Sequence, residues 1–197
     1  MKSLCSLPSD YKLIMSVDLQ KNKKTALLIN LAAALIGIAM FVPAALIKTE
    51  SLIALMDPDD GLGKYFLRFA FVIGGLIVYM ILHELVHGVA MRICGTKKVK
   101  YGFTGLYAFA GSDDWYDKTA YIFIALAPIV VWGIVLAVIC AIVPDEWFWI
   151  AYIIQIANIS GAAGDLYVTA RFTRLPKDIL VRDSGVAMEV YSKETAK

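Results

Sequence analysis

The chain has 197 residues, of which 59% are apolar and 18% charged, with a net charge of +2 and a mean hydropathy of +0.68. Soluble domains run at about 45–50% apolar and about 25% charged, so this composition disfavours a soluble globular domain and excludes a disordered chain. The small net charge points away from nucleic acid. The three scattered cysteines, Cys5, Cys94 and Cys140, form no CxxC pair and read as free thiols in apolar packing.

Crossing a bilayer takes about 20 mostly apolar residues. Four stretches qualify in chain order. Residues 25–47 carry no charge. Residues 69–91 open apolar and then meet three ionisable groups. Residues 119–143 carry no charge, and 147–170 are apolar apart from Gln155, Asn158 and Asp165. The expectation is an all-α integral membrane protein of four transmembrane helices, forming one polytopic domain over 1–197 with a cytoplasmic tail at 171–197. A small β-hairpin element is expected on the cytoplasmic side. The first span is too long for a signal-peptide core and follows Lys21, Lys23 and Lys24, so it is expected to be retained. Pro43 and Pro128 lie inside spans and are expected to kink them. Trp147 and Trp149 are expected at the headgroup level.

With four spans both termini share a side, and basic residues choose it. Placing the N-terminus inside puts sixteen of nineteen Lys and Arg there, leaving only Lys48, Lys64 and Arg68 outside. Both termini are therefore expected in the cytoplasm. The outer loop also holds Asp57, Asp59 and Asp60.

Two segments on the cytoplasmic side read as strands. Residues 99–110 alternate aromatics at Tyr101, Phe103, Tyr107 and Phe109, with Gly102 and Gly105 as breaks. In the tail, 179–182 and 186–191 flank the turn signal Asp183-Ser184-Gly185.

Ionisable groups at membrane depth are rare and mark function. Away from the span ends there are four: His83, Glu84, His87 and Asp165. The first three form an HExxH sequence. Residues four apart share a helix face, so both imidazoles reach one metal ion. Zinc accepts two imidazole nitrogens and a carboxylate oxygen and leaves a fourth position for water, beside which Glu84 stands as base. Asp165 is the leading third ligand, because span ends place it and His87 within roughly 2 Å of the same depth. Asp113, Asp114 and Asp117 are alternatives, although after Ser112 they read better as opening the third helix. Asn158 is a candidate for orienting substrate or an oxyanion, or equally for an interhelical hydrogen bond. Gln155 reads as packing. Gly161, Ala162 and Gly164 are expected to let another helix approach closely.

Together these residues resemble the site-2-protease type of intramembrane metallopeptidase, and more narrowly the small bacterial membrane family called "putative zincin peptidases". The resemblance rests on HELVHG at 83–88, ALAP at 125–128 and NISGAAGD at 158–165, and covers roughly residues 65–170. It implies one zinc ion held by His83, His87 and Asp165, Glu84 as catalytic base, a multi-pass location in a bacterial cell membrane, and a β-hairpin near the substrate path at 99–110. Site-2 proteases carry their late aspartate in an Asn-Pro-Asp-Gly-like stretch, whereas here no proline is present. The expected activity is zinc-dependent endopeptidase cleavage of membrane-embedded substrates near the cytoplasmic face. The alternative is a non-enzymatic membrane protein with structural or sensed zinc, which a free Glu84 beside an open coordination position argues against.

Overall fold

Long apolar runs with few helix breakers form the dominant elements. They are α1 (Lys23–Ile47), α2 (Thr49–Met56), α3 (Leu62–Ile93), α4 (Lys118–Ile142), α5 (Asp145–Gly161) and α6 (Ala163–Thr173). The computed structural model describes residues 3–17, 21–59, 61–105, 108–185 and 187–193. Tyr107 of the alternating aromatics, Asp60 of the outer loop and Val186 of the tail hairpin lie outside the described residues.

Helix ends follow local chemistry. Asn22 caps α1 through its side chain, which accepts from the Thr25 amide at 3.1 Å. Asp117 does the same for α4, accepting from Ala120 at 2.7 Å. The C-terminus of α3 is closed by two reversed hydrogen bonds, Gly95 N–H to Arg92 C=O at 2.9 Å and Thr96 N–H to Met91 C=O at 3.1 Å. This termination requires a left-handed residue, and Gly95 supplies it with φ +106°.

Among the described residues, three helices, α1, α3 and α4, are long and apolar enough to cross a membrane. On α1, Leu27, Leu31, Leu35, Ile38 and Leu46 are all exposed. A helix that is apolar all round and unburied is suited to lipid. The expected fourth span at 147–170 is not one continuous helix. It divides into α5 and α6 at Ala162. The break falls in Gly161-Ala-Ala-Gly164, where each glycine costs about 1 kcal/mol of helix propensity relative to alanine.

The all-α expectation is overturned. The protein is about 64% helical but carries two antiparallel sheets. The strands are β1 (Ser3–Leu4), β2 (Tyr11–Val17), β3 (Lys100–Phe103), β4 (Ala108–Gly111), β5 (Trp115–Asp117), β6 (Leu180–Asp183) and β7 (Met188–Lys193). β3 and β4 form the hairpin expected at 99–110, with Gly105 at φ +90° after β3. The tail hairpin is β6–β7. It belongs to a five-stranded sheet of order β1-β5-β6-β7-β2. That sheet joins the N-terminal arm, the segment before α4 and the tail. Its strands are short and come from distant parts of the chain, so no local window displays the pairing.

The chain forms two compact units. One comprises Met1–Ile29, His83–Pro128 and Gly164–Lys197, and the other Asn30–Leu82 and Ile129–Ala163. In the first, β6 and β7 turn Val181, Met188 and Val190 onto Met91, Cys94, Tyr116, Tyr121, Ile124 and Phe172. This is the period-two burial of a sheet with one covered face. The second is helical, with a core of Leu55, Trp149 and Ile150. Trp149 is 1% exposed, and its indole N–H donates to Lys48 C=O at 3.2 Å, so it is a packing residue and not a headgroup anchor. Among the cysteines, all free, Cys94 is buried but Cys5 is exposed, which corrects the expectation of apolar packing for Cys5.

Candidate metal centre

The HExxH segment occupies the last turns of α3, inside the sheet-bearing unit. His83 and His87, one helical turn apart, are both 9% exposed. Their rings lie 4.9 Å apart at an interplanar angle of 77°. Asp165 comes from the first turn of α6, where the unpaired amides of a helix start favour a negative charge. Its Oδ2 lies 3.6 Å from His83 Nε2 and 3.7 Å from His87 Nε2. The three potential ligand atoms all lie within 4.8 Å of one another.

These separations decide what the cluster is suited to. At 3.6–3.7 Å the contacts are too long for hydrogen bonds. Bonds of about 2.0–2.2 Å from a tetrahedral zinc put neighbouring ligand atoms roughly 3.3–3.5 Å apart. Asp165 Oδ2 thus stands from each imidazole near the coordination spacing, and all three ligand atoms lie close enough together to be offered to one cation. Two imidazoles and a carboxylate are also the donor set that zinc accepts while keeping a fourth position open.

The tautomer of His87 supports the same reading. Its Nδ1 lies 3.0 Å from the Ile124 carbonyl oxygen. A carbonyl only accepts, so Nδ1 carries a proton, and in the neutral ring Nε2 is then the nitrogen that offers a lone pair to the cluster. Glu84 is half-buried and stands in the electrostatic field of His83, His87 and Asp165, with the Ala110 amide of β4 within hydrogen-bonding reach of its carboxylate.

The remaining expected residues fall elsewhere. Asp113 pairs with Lys100 at 2.6 Å and with Arg182 at 3.5 Å on the surface. The Lys100 ammonium holds its carboxyl below the ordinary range. Asp117 caps α4. Asn158 is completely buried in the helical unit and accepts from the Tyr79 hydroxyl at 3.0 Å. Its amide group donates to Ile129 C=O and Gln155 Oε1, both at 3.4 Å. Gln155 in turn donates to Gly133 C=O at 3.2 Å, so it is a bonding partner and not merely packing. Gly161 and Gly164 have no described atom within 4 Å of an added Cβ, so the expected close approach is not made there. It is made at Gly88, where a Cβ would collide with the Tyr101 hydroxyl.

Two neighbours were not legible as site residues in the sequence. Ile124 contributes only a carbonyl, which no side-chain pattern reveals. Asp183 reads as a turn residue, yet it accepts from the Tyr121 hydroxyl and from the Gly185 amide at 2.8 Å. Burial holds its carboxyl above the ordinary range.

An HExxH helix with a convergent carboxylate defines the metallopeptidase class of site. The chain belongs to the family described as "Putative zincin peptidase", whose match spans residues 76–180 and so contains all four site residues. It is also similar to a Pyrococcus woesei protein described as "Uncharacterized 24.7 kDa protein in gap 5'region". That match is 29% identical over 124 residues, covering 58% of this chain and 51% of the relative. The chain thus spans about half the length of that relative. No solved structure matches.

Proposed function

We propose that the protein is a zinc-dependent endopeptidase that cleaves membrane-embedded or membrane-associated polypeptides near the cytoplasmic face. The observation that carries this reading is the convergence of His83 Nε2, His87 Nε2 and Asp165 Oδ2 at non-bonding separations, with Glu84 beside them. His83, His87 and Asp165 would hold a single zinc ion. Zinc bound there supplies Lewis-acid polarisation of a carbonyl and acidifies water toward neutral pKa. Glu84 accepts the proton from the attacking water and returns it to the leaving amine. Its position next to the Ala110 amide fixes the carboxylate for both transfers. In a structural zinc site protein ligands close all four positions, so three convergent ligands and an uncommitted carboxylate favour chemistry.

Substrate is proposed to enter as an extended strand. Among the described residues, β3 and β4 pair only with each other. A peptide segment added beside β4 would run past Glu84 and satisfy backbone groups on both chains. A helical segment must unwind first, because its amides are already paired.

The cytoplasmic placement rests on two supports. Basic residues concentrate in the N-terminal arm, the 92–118 segment and the tail. The same three segments supply every strand of the five-stranded sheet, which supports a shared side for them.

The test uses the full chain in proteoliposomes, with metal content read by atomic emission and cleavage read on casein and on a membrane-anchored reporter. Wild type is expected to retain zinc. Glu84→Gln is expected to keep the metal and lose about 10²–10⁴-fold in turnover. A wild-type protein that binds no zinc, or a Glu84→Gln variant that empties the site, sinks the reading.

A further inference from the structure

We infer that Pro128 is a positioning residue for the metal centre: by removing one backbone N–H from α4, it frees the Ile124 carbonyl to hold His87 in its ligating tautomer. The inference rests on the zinc reading above.

In a helix, the carbonyl of residue 124 would normally accept from the amide of residue 128. Residue 128 is proline, which has no N–H. The Ile124 carbonyl therefore lacks its regular partner inside α4. The His87 Nδ1 takes the empty place at 3.0 Å. Both sides of this contact are sequestered, with Ile124 2% exposed, His87 9% exposed and Pro128 among the fully buried side chains. An unsatisfied carbonyl in such buried surroundings is costly. The proline and the histidine thus solve one another's problem. The helix has a carbonyl without a donor, and the histidine needs an acceptor at Nδ1 to direct Nε2 toward Asp165.

An interior proline costs a helix roughly 3 kcal/mol relative to alanine. Pro43 in α1 is the internal comparison, because it too removes an i to i−4 bond, there freeing the carbonyl of Ala39. Both prolines remove a helix hydrogen bond, and the carbonyl that Pro128 frees meets a metal-ligand candidate. Histidine ligands ordinarily donate their second nitrogen to a carboxylate or carbonyl, and loss of such a partner lowers metal affinity about 10–100-fold.

The experiment measures zinc affinity by chelator competition on the full-length protein in detergent, without reference to activity. Pro128→Ala restores the N–H, which competes with His87 for Ile124, and is expected to weaken zinc binding about 10–100-fold. Pro43→Ala is expected to bind as wild type. The decisive variant is the ester analogue at position 128, in which lactic acid stands in for alanine. It has no ring and no N–H, and it is expected to retain wild-type affinity. Pro128→Ala binding zinc within twofold of wild type overturns the inference while leaving the zinc reading intact. An ester analogue that loses as much affinity as Pro128→Ala, or that like it fails to fold, also overturns it, because the ring and the bend would then matter instead of the missing donor. A wild-type protein without zinc affinity overturns the site reading itself, and this inference with it.

Discussion

Two groups of polar side chains sit on the apolar helices, and they differ in how their side-chain atoms face one another. In the helical unit, Tyr79, Gln155 and Asn158 close on one another and on the carbonyls of Ile129 and Gly133. In the sheet-bearing unit, His83, His87 and Asp165 come together at distances too long for hydrogen bonds. Polar atoms away from water normally pair, because each unpaired group costs free energy. The first group follows that rule and reads as an interhelical tie. The second holds its donor atoms apart at the spacing of a coordination sphere. A polar residue in a membrane helix is therefore not a functional sign by itself; the separation of its atoms from their neighbours distinguishes a tie from a site.

The sharpest way to break this comparison is to remove ligands from one group and bonding partners from the other. His83→Ala, His87→Ala and Asp165→Ala are each expected to take bound zinc from about one ion per chain to trace levels. Asn158→Ala is expected to leave zinc content unchanged. Metal loss in Asn158→Ala, or retention in Asp165→Ala, would erase the distinction.

Gly88 offers a middle-sized effect. Any Cβ there meets the Tyr101 hydroxyl, so Gly88→Ala forces the Tyr101 ring to give way. Overpacking of this kind costs about 1–3 kcal/mol. The double variant Gly88→Ala with Tyr101→Phe removes the colliding oxygen and should recover part of that loss in thermal unfolding. No recovery would place the strain somewhere other than the Tyr101 contact.

Breaking the tie itself should cost less. Asn158→Leu keeps the volume and deletes the acceptor for Tyr79, with an expected destabilisation of about 0.6–1.7 kcal/mol, the range of interhelical hydrogen bonds in membranes. Steric-trap or detergent unfolding measures it. A neutral result would make the group packing only.

The smallest effect lies at the surface, where Asp113 is paired with Lys100 and Arg182. Its carboxyl is held below the ordinary range, first by the Lys100 hydrogen bond. A depressed carboxyl contributes stability that is present above its unfolded pKa of about 3.9 and is lost as pH falls through the folded value. Wild type should therefore lose a small increment on acidification that Asp113→Asn lacks, and high salt should reduce the difference because both partners are exposed. Identical acid curves for the two proteins would remove the pair from the stability of the hairpin.

The sequence by itself determined the apolar helices, the hairpins at 99–110 and in the tail, and the candidate residues His83, Glu84, His87 and Asp165. Each is written in local terms: run length, period-two alternation, or side chains one turn apart that must share a face. Other features depended on residues distant in sequence. The five-stranded sheet is assembled from an arm, a loop and a tail, with β1 and β5 too short to display any period. The fourth apolar stretch reads as one span because its composition is continuous, yet two glycines within four residues let it break and start a new helix at Ala163, with Asp165 in its first turn. The expected close packing moved from Gly161 and Gly164 to Gly88 because a glycine licenses an approach without naming the partner. The contact between His87 and Ile124 was the least legible of all. It is made by a backbone carbonyl whose freedom depends on a proline four residues on, and whose use depends on another helix bringing an imidazole to it. Side-chain chemistry is carried by the sequence directly; which backbone groups are left to serve that chemistry is decided only when the helices pack.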